Sequence, residues 1–489
     1  LADVPPIGNL LPAIVVSVAP AAARVYLRGG GFAQIGWDGM AWTRGDAASG
    51  RADTLLHRGD LVYVISDGHG AAQLGQVPEA QGALVALDPQ DGAVVALVGG
   101  FDYFSNAWNH VTQAHRQPGS GFKPFLYSCA LEHDFTPASV IMDAPIVVAD
   151  GGIEQTWRPE NEGGAFSGPT RLRDGLVRSR NLVSIRLLRA VGTADVIDYA
   201  VRFGFDRAAM PNNLTLALGT LPATPLQVAT GYAAFANGGY RIDPYFIDRI
   251  EDGNGVTVWR AAPREVCAEC APPDPSTNPA APAAAGDAPA IAGSAGPGPG
   301  ALAAVAARAR GLTLAPPPAE RMIPLVAAAR VAPQIITPAN AWLMDDLMAD
   351  VIKRGTGRRA LVLGRSDISG KTGTTNESHD TWFNGFNPDL EATVWVGFDQ
   401  ERPLGEGEEG SSVAVPIWVR LMREALRSVP DVPRPMPSGV VSARINATSG
   451  LLVAPTDAEG IDEYFFTGKL PATPNTPGVP SNSSSEPLF

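Results

Sequence analysis

Residues 116–133 read RQPGSGFKPFLYSCALEH. The break Pro118-Gly119 precedes an apolar run, so a helix is expected over 120–133, with Ser120 and Lys123 at its start. Their i, i+3 spacing puts both side chains on one face of a turn. Pro124 is tolerated there, because first-turn N–H groups have no intrahelical partner. A serine hydroxyl is a weak nucleophile until an adjacent base takes its proton. Lysine can be that base if burial or another positive charge lowers its pKa. Ser120-Gly121-Phe122-Lys123 is the only Ser-x-x-Lys in the chain.

On either side lie strands. ALVAL (83–87) and AVVALVGG (93–100) flank Asp88-Pro89-Gln90-Asp91-Gly92, which has good hairpin chemistry. Far downstream, TWFNGFN (381–387) and EATVWVGF (391–398) flank Pro388-Asp389. Helical patterns at about 174–204 and 224–236 lie between the two hairpins. Strands at both ends with helices between fit one antiparallel sheet closed by its first and last strands. Ahead of it, AIVVSV, ARVYL, FAQIGW and LVYVIS are short strands separated by turns and suggest a small barrel. It lacks a basic patch, so a packing or protein-contact role is favoured over oligonucleotide binding.

The chain has 489 residues, with 37 Lys+Arg against 50 Asp+Glu, a net charge of −13 and 45% hydrophobic residues. That acidic balance excludes nucleic acid as the main partner. Only four of the basic residues are lysines, namely Lys123, Lys353, Lys371 and Lys469. Arginine replaces lysine nearly everywhere, so the positions of the four are informative. Lys371 lies in Ser369-Gly370-Lys371-Thr372-Gly373-Thr374-Thr375, an expected strand just before the last hairpin. There Gly373 would let a bound backbone approach, the threonines Thr372, Thr374 and Thr375 would supply hydroxyls, and Lys371 charge for a carboxylate. Lys353 and Lys469 carry no such reading and are expected to be ordinary surface charges. Ser179-Arg180-Asn181 precedes a helical run; Ser276-Thr277-Asn278 repeats its pattern by chance in an Ala/Pro/Gly-rich stretch.

Three cysteines exclude a disulfide scaffold. Cys267 and Cys270 are a lone C-x-x-C, better read as a local disulfide or an idle pair than as a metal site, and Cys129 as a core thiol. No metal site or cofactor motif appears, and no Gly-x-Ser-x-Gly elbow. The charge-free stretch 208–240 is too broken by Pro, Gly and Asn to span a bilayer and is expected to be core with turns. The chain starts Leu1-Ala2-Asp3, with no visible signal peptide, as expected of a piece whose natural N-terminus lies elsewhere.

Ser-x-x-Lys, Ser-x-Asn and Lys-Thr-Gly in this order are the motif set of penicillin-binding proteins and class A β-lactamases. RQPGSGFKPFLYSCALEHDFTPASVI, LALGTLPATPLQVATGYAAFANGGY and GKTGTTNESHDTWFNGFNPDLEATVWVGFD resemble the transpeptidase domain of class A penicillin-binding proteins. Residues 1–80 resemble the OB-like domain of their 1A type, and the Cys267–Cys270 segment also occurs there. The resemblance implies an α+β penicillin-binding/serine β-lactamase-like domain in two parts, 81–262 and 321–430, and an OB-like β-barrel at 1–80. An Ala/Pro/Gly-rich insertion at 263–320, expected to be disordered, and an extension at 431–489 with a disordered tail complete the division. The family's membrane anchor and glycosyltransferase domain are not in this sequence. The middle residue of the second motif is Arg180, where Lys or Asp is also found in relatives, while Ser179 and Asn181 are intact.

By the same resemblance, Ser120 attacks the D-Ala-D-Ala bond of a peptidoglycan stem peptide and Lys123 takes its proton. Lys371 is a catalytic residue that helps to lower the pKa of Lys123, Ser179 relays a proton, Asn181 holds the substrate amide, and Thr372, Gly373, Thr374 and Thr375, with Lys371, bind the substrate strand and its carboxylate. Backbone N–H groups of Ser120 and Thr374 form the oxyanion hole. The implied partners are stem peptides with an amine acceptor, and β-lactams, on the periplasmic side of the inner membrane. A β-lactamase is disfavoured, because DRAAMPNNLTLALG after Ser179 holds only Asp206 as an acid. A D,D-carboxypeptidase and a non-catalytic wall scaffold remain the alternatives.

Overall fold

The computed structural model describes residues 1–43, 50–148, 157–267 and 330–473. It divides into two units, residues 1–246 with 333–489, and residues 247–332.

The first unit opens with a closed barrel of β1 (Leu11–Ala19), β2 (Ala22–Leu27), β3 (Phe32–Gly36), β4 (Leu61–Ser66) and β5 (Ala71–Gly75), in the order β1-β2-β3-β5-β4. Alternate residues face inward, so Ala13, Val15, Val25, Ile35 and Val64 form its core. A bulge between Val15 and Ser17 helps β1 bend between β2 and β4.

The main sheet joins β6 (Gln81–Leu87) and β7 (Val94–Val98) to β8 (Ser369–Thr374), β9 (Asp380–Asn387) and β10 (Leu390–Gly397), in the order β8-β9-β10-β6-β7. Every pairing is antiparallel. The expected closure by first and last strands is the β10–β6 ladder. Between β7 and β8 come α1 (Lys123–Glu132), α2 (Leu172–Val177), α3 (Asn181–Val191), α4 (Thr193–Arg202), α5 (Pro225–Ala236) and α6 (Pro338–Arg354). α7 (Val415–Ala425) follows β10. Its Trp418 and Met422 pack with Phe383, Ala392 and Val394 on one sheet face. The opposite parity of β9 and β10 points toward the helices around α1, which is buried from Lys123 to Leu131.

A hairpin of β11 (Val440–Asn446) and β12 (Gly460–Phe466) lies in the C-terminal extension, where the sequence had shown no elements. It shares a small core of Ala138, Ile445 and Phe465. Lys469, just beyond it, is no ordinary surface charge: its ammonium donates to the carbonyls of Leu131, Glu132 and His133 at 3.2, 3.0 and 2.5 Å. These oxygens end α1 and have no helical N–H to accept from.

In the second unit, Arg249–Glu251 pairs antiparallel with Thr257–Arg260, and Arg264–Glu265 pairs parallel with Arg330–Val331. Cys267 is disulfide-bonded, whereas Cys129 is a free, buried thiol pushed up to about 12 by burial. Cys270, most of the 263–320 insertion (with the chance Ser276–Asn278 repeat) and the tail from 474 lie outside the described residues. No described helix is long and apolar enough to cross a membrane.

Candidate active site

The expected helix start at residue 120 is a 3-10 turn, Gly119–Phe122, leading into α1 at Lys123. Ser120 thus sits in a tighter turn than an α-helix, jammed against β8. A Cβ on Gly373 would lie 2.4 Å from the Pro118 carbonyl oxygen, and one on Gly119, whose φ is +55°, 2.6 Å from that of Thr374. The bare face of Gly373 is therefore taken by the protein's own backbone. The sequence reading gave it to a bound substrate.

Ser179 adopts φ 55°, a left-handed conformation costing a β-carbon residue about 1 kcal/mol. It is held by Ser179 N–H donating to Leu176 O (3.0 Å) and Arg180 N–H to Gly175 O (2.8 Å). The result aims Ser179 Oγ between two lysines, 3.3 Å from Lys123 Nζ and 2.9 Å from Lys371 Nζ. Lys123 Nζ also donates to Ser179 O at 2.7 Å and Asn181 Oδ1 at 2.8 Å. Ser120 is not among its hydrogen-bond partners in this structure. Lys371 Nζ also donates to Thr372 O at 3.0 Å.

Both lysines are fully buried. Burial, and then the charge of Lys371, push Lys123 well below the usual lysine range, against a smaller opposing pull from Glu162 and Asp143. Burial lowers Lys371 to about 7. At neutral pH the pair holds its charge with difficulty, as a lysine base requires. An uncharged Lys123 has two N–H bonds, matched by Ser179 O and Asn181 Oδ1, and a lone pair left over.

The loop 157–168 completes this wall, and nothing in the sequence flagged it. Asn161 Oδ1 accepts from Asn181 N–H (2.9 Å) and Leu182 N–H (3.3 Å), capping α3. Its amide donates to the buried Asp143 at 2.6 Å. Asn181 Nδ2 donates to Glu160 O at 2.8 Å. The Asn181 amide thus accepts from Lys123 through Oδ1 and gives one of its two N–H bonds to Glu160 O, which leaves the second N–H for a substrate carbonyl. Glu162 is also on this loop. Desolvation and the hydrogen-bonded Glu409 raise its pKa.

The threonines divide. Thr372 is buried, its hydroxyl 2.6 Å from that of Thr356. Thr375 Oγ1 accepts from Asp380 N–H at 2.9 Å. Both serve the fold rather than an open substrate surface. Thr374 Oγ1 accepts from Gly410 N–H at 3.1 Å, which leaves its own proton available.

This sheet, with Ser120 on a turn against one edge and two lysines meeting at a serine, is the architecture of penicillin-binding transpeptidase domains. Residues 82–285 match the penicillin-binding protein transpeptidase domain, and residues 1–80 the penicillin-binding protein OB-like domain. Penicillin-binding protein 1A of Pseudomonas aeruginosa is 42% identical over 96% of this chain and 56% of its own length. That of Escherichia coli K12 is 35% identical over 96% of this chain and 58% of its own. The crystal structure of penicillin-binding protein 1A from Haemophilus influenzae superposes with a TM-score of 0.78, at 33% identity, covering 96% of this chain and 65% of that one. The chain belongs to the class A penicillin-binding proteins of the 1A type and carries their OB-like and transpeptidase domains. It spans little more than half the length of these curated relatives.

Proposed function

We propose that the chain is the crosslinking half of a peptidoglycan synthase, a D,D-transpeptidase working through an acyl-enzyme on Ser120. The observation that carries this is the convergence of buried Lys123 and Lys371 on Ser179 Oγ, beside the Ser120 turn. Ser120 Oγ attacks the carbonyl between two terminal D-Ala residues while its proton passes to the free lone pair of Lys123. The tetrahedral oxyanion lies between the N–H groups of Ser120 and Thr374, each such donor worth about 3–4 kcal/mol in acyl-transfer enzymes. Ser179 passes the proton from Lys123 to the departing D-Ala amine, and the peptide bond breaks. Lys371, keeping one N–H beyond Ser179 Oγ and Thr372 O, binds the substrate carboxylate together with Thr374. An amine of a second stem peptide then attacks the Ser120 ester. It loses its proton by the reverse relay, forms the crosslink and frees Ser120. A β-lactam opens on Ser120 by the first of these steps and stays attached. The domain acts on the wall side of the cytoplasmic membrane, where its substrate lies.

A fluorescent penicillin is expected to label the protein covalently, and Ser120→Ala to abolish the label. Labelling that survives the substitution would remove Ser120 as nucleophile. Mass spectrometry of stem-peptide products with an added amine separates crosslinking from trimming; free tetrapeptide alone would make the chain a carboxypeptidase.

A further inference from the structure

Beneath the nucleophile lies a carboxyl group that the acyl-transfer steps do not use. Glu391 on β10 is wholly buried. It shares a sheet face with Thr393, Asn384 and Lys371, for Lys371 pairs across to Asn384 and Asn384 to Thr393. Phe386 on β9 and Leu87 on β6 stand directly opposite it. No described cation pairs with it. The titratable group in electrostatic reach is Tyr232 of α5, itself buried and raised. Glu391 Oε2 has no hydrogen-bond partner.

The chain of contacts runs from this acid to the Ser120 turn. Thr393 Oγ1 is 2.8 Å from Glu391 Oε1 and 3.0 Å from Asn384 Oδ1. The Asn384 amide lies under Gly121, where an added Cβ would be 2.8 Å from Nδ2, an atom that touches the turn without a hydrogen-bond partner of its own. Tyr232 O–H donates to Gly121 O at 2.7 Å. Gly121 stands between Ser120 and Lys123.

Donor counting orders these atoms. Thr393 has one hydroxyl proton and faces two acceptors. With the Asn384 amide oriented as it is, both contacts are hydrogen bonds only if Glu391 carries a proton, gives it to Thr393 Oγ1, and Thr393 gives its own to Asn384 Oδ1. An ionised Glu391 would be a buried anion with one donor and a bare second oxygen, an arrangement of high cost. To support it the Asn384 amide would have to turn over. Its oxygen would then compete with Gly121 O for the single proton of Tyr232.

We propose that Glu391 is a positioning residue of the acyl-transfer site, held as the neutral acid so that its proton, relayed through Thr393 and Asn384, keeps Tyr232 on the Gly121 carbonyl and fixes the turn between Ser120 and Lys123. The inference rests on Ser120 as the nucleophile, which the Ser120→Ala labelling tests separately. Burial raises the Glu391 pKa well above the carboxylate range, in keeping with a neutral acid.

The test uses the whole chain, fluorescent penicillin and two variants. Glu391→Gln keeps an N–H for Thr393 and cannot ionise; Glu391→Leu keeps bulk and loses the donor. The acylation rate of Glu391→Gln is expected within about twofold of the parent and that of Glu391→Leu about tenfold lower, one misplaced hydrogen bond's worth. The infrared difference spectrum of parent minus Glu391→Gln at neutral pH is expected to show a protonated carboxyl band. Two results would overturn the proposal whatever the labelling of Ser120→Ala shows. One is the absence of that band; the other is a folded Glu391→Leu that acylates as fast as Glu391→Gln. If Glu391→Leu does not fold, the band and the alkaline limb decide. Stability linked to a raised acid is lost as pH rises, so the parent should lose stability and acylation rate relative to Glu391→Gln. Parallel profiles would overturn the proposal.

Discussion

Gly373→Ala probes the contact that holds the Ser120 turn against β8. Gly373 is in ordinary strand conformation, so alanine meets no backbone penalty there. The obstacle is space. The new Cβ would lie 2.4 Å from Pro118 O, 2.9 Å from the Cβ of Trp382 and 3.2 Å from Gly121 N. Carbon and oxygen settle near ~3.3–3.5 Å, so the turn carrying Ser120 must retreat from β8 by about 1 Å. None of the three can yield cheaply, since two are backbone atoms and the third belongs to a buried tryptophan. Overpacking of this kind costs about 1–3 kcal/mol of stability. A displacement of about 1 Å at a reacting group costs up to ~100-fold in rate. Gly82→Ala, in the same sheet, is the control, because its Cβ would find nothing closer than 3.9 Å. Stopped-flow acylation by a fluorescent penicillin should fall about 10- to 100-fold for Gly373→Ala and stay near the parent rate for Gly82→Ala. The thermal midpoint should drop only for the first. A Gly373→Ala protein with parent-like rate and midpoint would refute the claim that this contact positions Ser120.

Lys371→Met should change how stability depends on pH. The folded chain gives up the Lys371 proton near a pKa of about 7, whereas an unfolded lysine keeps it to ~10.4. Between those values the unfolded state binds more protons, so this group makes stability rise with pH. Thermal midpoints measured across that window should show the parent gaining on Lys371→Met; a constant difference would mean that Lys371 is not a depressed, buried lysine. Glu463→Gln should weaken the seat of the C-terminal hairpin. Arg173 reaches Glu463 at 3.1, 2.9 and 2.5 Å, and breaking a buried pair costs ~3–5 kcal/mol. Asp346 and Asp350 remain on Arg173, so urea unfolding should show a loss at the low end, about 3 kcal/mol. A loss under ~1 kcal/mol, the worth of a surface pair, would mean the hairpin is held by other contacts.

What could be read from the sequence followed from chemistry confined to short windows. The hairpins around Asp88–Gly92 and Pro388-Asp389 announce themselves by turn residues between β-branched runs, and the sheet closure follows from them. The fifth barrel strand, Ala71–Gly75, reads AAQLG; it has no β-branched residue and is a strand because its neighbours need a partner. Ser120, Lys123, Ser179 and Lys371 could be singled out as candidates because each lies in a short local motif, and the structure brings Lys123 and Lys371 together on Ser179. The functions of Thr372 and Thr375 were not, because whether a hydroxyl faces a substrate or Thr356 is decided by tertiary packing. Asn161 was invisible for the same reason. It acts through one amide that touches Asn181, Leu182 and Asp143, and any of several asparagines would look alike in sequence.

The division of labour between arginine and lysine shows a similar logic. Arg173 sits among Glu463, Asp346 and Asp350 with its planar fork satisfied from several sides, the role for which guanidinium geometry is suited. In the proposed relay Lys123 surrenders a proton, which arginine cannot do. Lys371 is squeezed against Ser179 Oγ and Thr372 O, where a compact ammonium fits. Lys469 meets three carbonyls that converge at the end of α1; three acceptors around one point suit a rotatable ammonium better than a flat fork. Three of the four lysines thus stand where geometry or acidity demands one. Lys469 and Glu463, the partner of Arg173, both belong to the C-terminal extension. Lys469 closes the far end of the helix that starts at Lys123, and Glu463 holds Arg173 on the helix that leads to Ser179. The extension grips both motif-bearing helices at their ends remote from the chemistry.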